Sequence, residues 1–298
     1  MRSRTSLFLL DVLVTLLAVQ TALQAHAVNI PSPEPPPAIH ETTGTVRFDL
    51  YLGYFIVAHG SAGPLKNLNF FVDTGTTPSV LDTRIAKKLD LAAQQSTPIA
   101  ALGGAAQGEI TSLPSLELGP LTRSNLPVVT TDLSFFEKFV PVHIDAIVGL
   151  DVLGPGPFVI DYAAREIRFG PARQLPVSVP LRLDHGLAVF DVAIDHQLKH
   201  LLLDTGAGSL IVFTPQPSQA PAAKAATVAL HSIGDFDGKQ VWLHSVRLGS
   251  REFRQRSAVM TRNPKPSQLD YDGLISPAVL GISQVSVDLK GGVLGFSR

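Results

Sequence analysis

Cysteine is missing altogether from this 298-residue chain, which excludes disulfides, thiolate nucleophiles and cysteine-ligated zinc. Charge is scarce too. Charged side chains make up 16% of the residues, against about a quarter in ordinary globular proteins, and 24 basic against 25 acidic groups leave a net charge of −1. With no basic excess there is no electrostatic footprint for nucleic acid. No Gly-x-Ser-x-Gly elbow occurs, so a serine hydrolase lacks its usual signature. Gly154-Pro155-Gly156 and Gly291-Gly292 open no helix after a phosphate-type loop, which argues against nucleotide binding. What the chain does have is apolar content of 45%, with 24 glycines and 23 prolines. It is long enough to bury a substantial core, and its punctuation favours many turns between short strands.

The N-terminus has the order of an export signal. Arg2 and Arg4 precede an apolar run over 7–19, and Ala25-His26-Ala27 fits a small-x-small cleavage site. Asp11 interrupts the run, which also falls short of the ~20 residues that span a bilayer. Residues 1–27 are therefore expected to be a signal peptide, and the protein to be exported, periplasmic or secreted. An uncleaved signal would hold the chain at the membrane instead. Pro31, Pro33 and Pro35–Pro37 stiffen a linker over 28–44.

The remainder is written twice. Phe70-Phe71-Val72-Asp73-Thr74-Gly75 returns 131 residues later as Leu201-Leu202-Leu203-Asp204-Thr205-Gly206. Leu116-Glu117-Leu118-Gly119 returns as Val246-Arg247-Leu248-Gly249, the stretch 145–154 as 272–281, and Phe158-Val159-Ile160-Asp161 as Val285-Ser286-Val287-Asp288. Four matches in one order, with slowly drifting offsets, describe a duplication with small indels. The period is too long for a solenoid and implies two homologous lobes, 45–170 and 177–298, joined by a linker over 171–176. Residues 46–57 and 187–194 read as half-buried strands, and 83–89 as a helix capped by Asp82. At the corresponding place, Thr214-Pro215-Gln216-Pro217 reads as loop, so the second copy is expected to have lost that helix.

Two Asp-Thr-Gly triplets carry the chemistry, where composition alone would give about 0.1. In each, an apolar strand delivers a carboxylate to a buried spot and glycine permits the tight turn that follows. The threonine hydroxyl and the glycine N–H can supply the donors that such a carboxylate needs. If two equivalent loops meet across a pseudo-two-fold axis, Asp73 and Asp204 lie side by side. Like charges so close cannot both ionise easily, so the pair shares a proton. One carboxylate then activates water while the other protonates or polarises a carbonyl.

On these residues the chain resembles the aspartic proteases, specifically the retropepsin-like bacterial group with two lobes fused in one chain. Asp73-Thr74-Gly75-Thr76-Thr77, Asp204-Thr205-Gly206-Ala207-Gly208 and the later Ile147-Val148-Gly149 carry the resemblance. It implies an all-β bilobal fold of two β-barrel-like lobes, and peptide-bond hydrolysis by Asp73 and Asp204 without a covalent intermediate. It also implies no metal or organic cofactor. Thr74, Gly75, Thr76, Thr205 and Gly206 would support the dyad, with Thr74 and Thr205 cross-linking the loops. The candidate flaps are 101–110, with Gly103, Gly104 and Gly108, and 232–242, turning at Asp237-Gly238. Both carboxylates come from one chain, so a monomer that takes a peptide or protein substrate is expected. Ser276 stands where the second lobe should have glycine, which keeps a second reading open, a catalytically inactive peptide-binding or scaffolding protein. Thr76 can donate to its carboxylate whereas Ala207 cannot, so the proton should rest on Asp204.

The weaker signals point elsewhere than to chemistry. His196 and His200 lie beside Asp191 and Asp195 but lack zincin spacing, and read as a solvated turn without a metal. Arg247, Arg251, Arg254 and Arg256 read as a solvated edge strand. Phe135, Phe136 and Phe139 read equally as core or as pocket wall.

Overall fold

A computed structural model describes residues 12–13, 18–19, 43–101, 104–214, 227–232, 234–262 and 270–298. Most of the expected signal peptide, most of the proline-rich linker, Gly103, and the segment after Thr214 where the second copy should lack a helix lie outside the described residues. Two short strands fall within the signal segment, β1 (Val12–Leu13) and β2 (Ala18–Val19). No helix among the described residues is long and apolar enough to cross a membrane.

The protein is nearly all β, as its turn-rich composition and β-branched segments predict. An antiparallel meander opens the first half: β3 (Gly44–Tyr51), β4 (Phe55–Ala62) and β5 (Leu65–Val72). The single strand expected over 46–57 is thus two. Leu52 and Gly53, with φ of 53° and 80°, form the left-handed turn that breaks it. The meander leads to β6 (Val80–Asp82) and α1 (Thr83–Lys88). Asp82 caps that helix by accepting the Arg84 N–H at 2.8 Å, and Lys87 and Lys88 lie in its last turn, as the sequence indicates.

The hairpin of β7 (Gln95–Ala101) and β8 (Gly104–Leu118) follows, then β9 (Leu121–Thr131), β10 (Ala146–Val148), the short α2 (Leu150–Leu153), β11 (Phe158–Asp161) and β12 (Glu166–Phe169). The second half repeats the order with β13 (Val177–Asp184), β14 (Leu187–Ile194), β15 (Gln197–Leu203), β16 (Leu210–Phe213), β17 (Thr227–Ser232), β18 (Gly234–Leu248), β19 (Arg251–Thr261), β20 (Gly273–Ile275), β21 (Gln284–Asp288) and β22 (Val293–Ser297).

Pairings recur between the halves. β10 runs parallel to β5, with Ile147 opposite Phe71, and β20 runs parallel to β15, with Leu274 opposite Leu202. Asp145 N donates to Asn69 O at 2.9 Å, and Asp272 N donates to His200 O at 2.6 Å. One antiparallel sheet takes three strands from each half, in the order β3–β12–β11–β21–β22–β13. Between β12 and β13 the chain crosses through 171–176.

One candidate turn lies elsewhere than expected. Asp237 and Gly238 pair with Ala229 and Val228 inside the β17–β18 hairpin, whose last pair is Ser232 with Gly234. An Asp-Gly dipeptide favours a turn only locally, and the register of the two strands overrides it.

The core beneath the first half is aromatic. Phe55 and Phe71 stack at 3.8 Å between centroids, and Phe136 meets both edge-on at 5.4 and 5.5 Å. Phe136 is therefore core, whereas Phe135 and Phe139 are half-buried. Phe71 immediately precedes Val72 and Asp73, so this cluster also fixes the strand that carries the first carboxylate. Replacing Phe71 by Ala should cost about 3–5 kcal/mol, read as a lower midpoint in urea unfolding with an unchanged slope.

Candidate active site

Each triplet sits at the end of a strand buried on both faces. Phe70, Phe71 and Val72 lead into Asp73, and Leu201, Leu202 and Leu203 into Asp204, all at 0% exposure. A strand threads behind each loop and fixes the backbone at the carboxylate. Asp73 N donates to Val148 O at 3.0 Å, and Asp204 N to Ile275 O at 3.1 Å.

The loops are then joined to one another. Thr74 N donates to Thr205 Oγ1 and Thr205 N to Thr74 Oγ1, both at 3.0 Å. The hydroxyls donate onward across the boundary, Thr74 Oγ1 to Leu203 O at 2.9 Å and Thr205 Oγ1 to Val72 O at 3.0 Å. This reciprocal set brings the two glycines against the opposite carboxylates. A Cβ on Gly75 would stand 2.7 Å from Asp204 Cγ, and one on Gly206 would stand 2.8 Å from Asp73 Cγ. Only glycine fits at either place. Tyr54, at the turn after β3, reaches the far loop in the same way, since a Cβ on Gly208 would meet its hydroxyl at 2.8 Å.

The carboxylates are held unequally. Asp73 Oδ1 accepts the Gly75 N–H at 2.8 Å and Asp73 Oδ2 accepts the Thr76 hydroxyl at 2.8 Å. Asp204 Oδ1 accepts the Gly206 N–H at 2.8 Å. Asp204 Oδ2, where Ala207 offers no hydroxyl, is buried without a donor. Burial pushes Asp73 up to about 6, opposed first by the Thr76 hydroxyl and then by the Gly75 N–H. Burial, and next the neighbouring Asp73 charge, push Asp204 well above the ordinary carboxylate value. Two carboxylate oxygens are both acceptors and repel, so a proton on Asp204 turns repulsion into an O–H donated to Asp73.

Supports missed by sequence reasoning lie behind the first loop. Ser79 Oγ donates to Asp151 Oδ1 at 2.7 Å, Ser79 N donates to Asp151 Oδ2 at 2.9 Å, and Gly149 N donates to Ser79 Oγ at 2.9 Å. Leu150 N donates to Thr76 O at 3.1 Å, and a Cβ on Gly149 would strike that oxygen at 2.1 Å. In the second half of the chain the residues at the matching offsets are Leu210, Ser276, Pro277 and Ala278. Pro277 has no N–H to donate. Ser276 fits without displacing the Asp204 N–H to Ile275 O bond, and its hydroxyl is buried and unpartnered. The signal was available in the sequence, because Asp151 faces Ala278 and Ser79 faces Leu210 when the copies are aligned.

Of the flap candidates, Gly104 pairs with Ala101 at the end of the β7–β8 hairpin. Gly108 lies within β8 opposite Thr97, where a Cβ would press on Val129 Cγ1 at 2.6 Å and Ile99 Cδ1 at 2.7 Å. It therefore serves close packing rather than a turn. His200 Nδ1 is 2.7 Å from Asp191 Oδ1 on the neighbouring strand.

The raised proton affinity of Asp204 has a sign in stability. A carboxyl whose folded-state pKa is raised leaves stability intact at pH values below its unfolded pKa, and loses it as pH rises through the folded one. Asp204→Asn keeps the acceptor for Gly206 and removes the charge. It should raise the melting temperature by a few degrees at pH 7, with the gain vanishing below about pH 4. Calorimetry across pH 3–8 measures this.

Residues 60–152 match the family model described as aspartyl protease. A search of the curated proteins returned no match. The matched stretch contains Asp73 with its threonines, the capped helix α1, and the strand and glycine that back the loop. Over residues 60–152 the chain is similar to the aspartyl protease family.

Proposed function

We propose that the protein is an exported aspartic endopeptidase whose dyad is Asp73 and Asp204, assembled in one chain from two homologous lobes related by a pseudo-two-fold axis. The observation that carries this reading is the mutual fit of each motif's glycine against the other motif's carboxylate, locked by Thr74 and Thr205.

Asp73 holds two donors and is the ionised member, and Asp204 carries the shared proton. Asp73 takes a proton from a water molecule, whose oxygen attacks the scissile carbonyl carbon. Asp204 gives its proton to the carbonyl oxygen, and a gem-diol forms with no bond to the enzyme. Its collapse returns a proton to Asp204 from one hydroxyl, while the amine leaves with the proton that Asp73 took. No metal or organic cofactor takes part in these steps. Export rests on Arg2, Arg4, the apolar run and Ala25-His26-Ala27.

A peptide-binding protein without turnover is the second reading. The bare Asp204 Oδ2 and the replacement of Gly149-Leu150 by Ser276-Pro277 favour it.

Purified protein should cleave a denatured protein substrate, and Asp73→Asn or Asp204→Asn should each abolish cleavage. Activity surviving either substitution would contradict the dyad, and peptide binding without turnover would establish the second reading. Activity per mole should stay constant on dilution into the nanomolar range, because both carboxylates come from one chain.

The donor asymmetry gives a separate test. Thr76→Ala should move the alkaline limb of the rate profile upward, and Ala207→Thr should move it downward, each by about 0.5–1.5 pH units.

A further inference from the structure

Among the described residues, six buried side-chain polar atoms have no hydrogen-bond partner, and four of them belong to Asp204 and its neighbours: Asp204 Oδ2, Ser276 Oγ, Tyr162 Oη and Tyr271 Oη. Native proteins rarely leave such atoms unpaired, so a cluster of them around one carboxylate calls for a reason. Tyr162 faces Ser276. Tyr271 stands apart from that pair.

Tyr271 is 5% exposed and belongs to one packed cluster with Ala207, Leu187 and Leu274. Aligning the copies puts Tyr271 opposite Ile144, and Ala207 opposite Thr76. The first loop therefore combines a hydroxyl at the third position past its aspartate with an aliphatic side chain before the backing strand. The second combines a methyl with a phenol.

We infer that Tyr271 is the positioning residue for Asp204, its phenol hydroxyl taking the part that the Thr76 hydroxyl plays for Asp73. The inference rests on the dyad reading above. Tyr271 and Asp204 make no direct hydrogen bond, and a single water between their two unpaired atoms would satisfy both. Burial raises the Tyr271 phenol, and the charges of Asp204 and Asp184 raise it further, so it stays protonated and able to donate at any pH where the dyad works. The groups that face Asp204 are the Asp73 carboxyl, the Gly206 and Ala207 N–H groups, and the two phenols. Asp184, the other charge near Tyr271, is held by His185 Nδ1 at 2.7 Å.

A donor to the ionised form lowers a carboxyl's proton affinity, so removing it raises that affinity. In the full-length protein, Tyr271→Phe should move the alkaline limb of the activity profile up by about 0.5–1 pH unit. It should also extend the fall of melting temperature with pH to correspondingly higher pH. The second measurement needs no activity. In an Asp204→Asn background the added Tyr271→Phe should leave the melting profile's shape unchanged. The double exchange Ala207→Thr with Tyr271→Ile recreates the first loop's arrangement and should bring both curves back toward the original.

A Tyr271→Phe protein whose activity limb and melting profile both superpose on the original overturns the inference and leaves a purely packing role. Should Asp204→Asn retain activity while Tyr271→Phe still shifts the melting profile, the dyad reading fails and the link between Tyr271 and Asp204 stands.

Discussion

Four hydrogen bonds made by Thr74 and Thr205 hold the rest of the site in being. Each threonine gives its N–H to the other's hydroxyl and its own hydroxyl to a carbonyl across the boundary. Because every partner is buried, breaking the contact would orphan donors and acceptors at about 1–3 kcal/mol apiece. The glycines can approach the opposite carboxylates only while this lock is closed, so neither half contains a finished loop of its own.

Around that symmetric centre the supports differ. Behind Asp73, Ser79, Asp151, Gly149 and Leu150 form a polar frame that reaches the Thr76 carbonyl. Behind Asp204 stand the apolar Leu210 and Ala278, Pro277 without an N–H, and Ser276 with an unpartnered hydroxyl. Polar frames specify geometry, whereas apolar backing supplies burial without directional constraint. The better-held carboxylate is the one with two donors, although both are equally buried.

Much of this was legible before any coordinates. The triplets behind apolar strands place Asp73 and Asp204, the offsets pair the backing strands, and Asp82 marks the helix start. What escaped was set by tertiary register or by single residues without a motif. Asp237-Gly238 has strong turn chemistry but lies inside a strand, because 227–232 pair with 234–239 in a register that sets Asp237 opposite Ala229. The break at Leu52-Gly53 was hidden because Leu rarely adopts a left-handed conformation. Tyr54, Ser79 and Asp151 match no pattern on their own. They emerge only when the copies are compared position by position and the differences are read as exchanged partners.

The six-stranded sheet beneath the site has a topological consequence. Its order, β3–β12–β11–β21–β22–β13, sets strands of the first half directly against strands of the second, with β11 bonded to β21 along its length. The covalent crossing at 171–176 leaves from β12 and enters at β13, which are not neighbours in that order. A chain cut within 171–176 would lose none of the sheet's hydrogen bonds and none of the threonine lock. The peptide connection serves to deliver the two halves together, and the folded molecule is held as one body by pairings that do not pass through it.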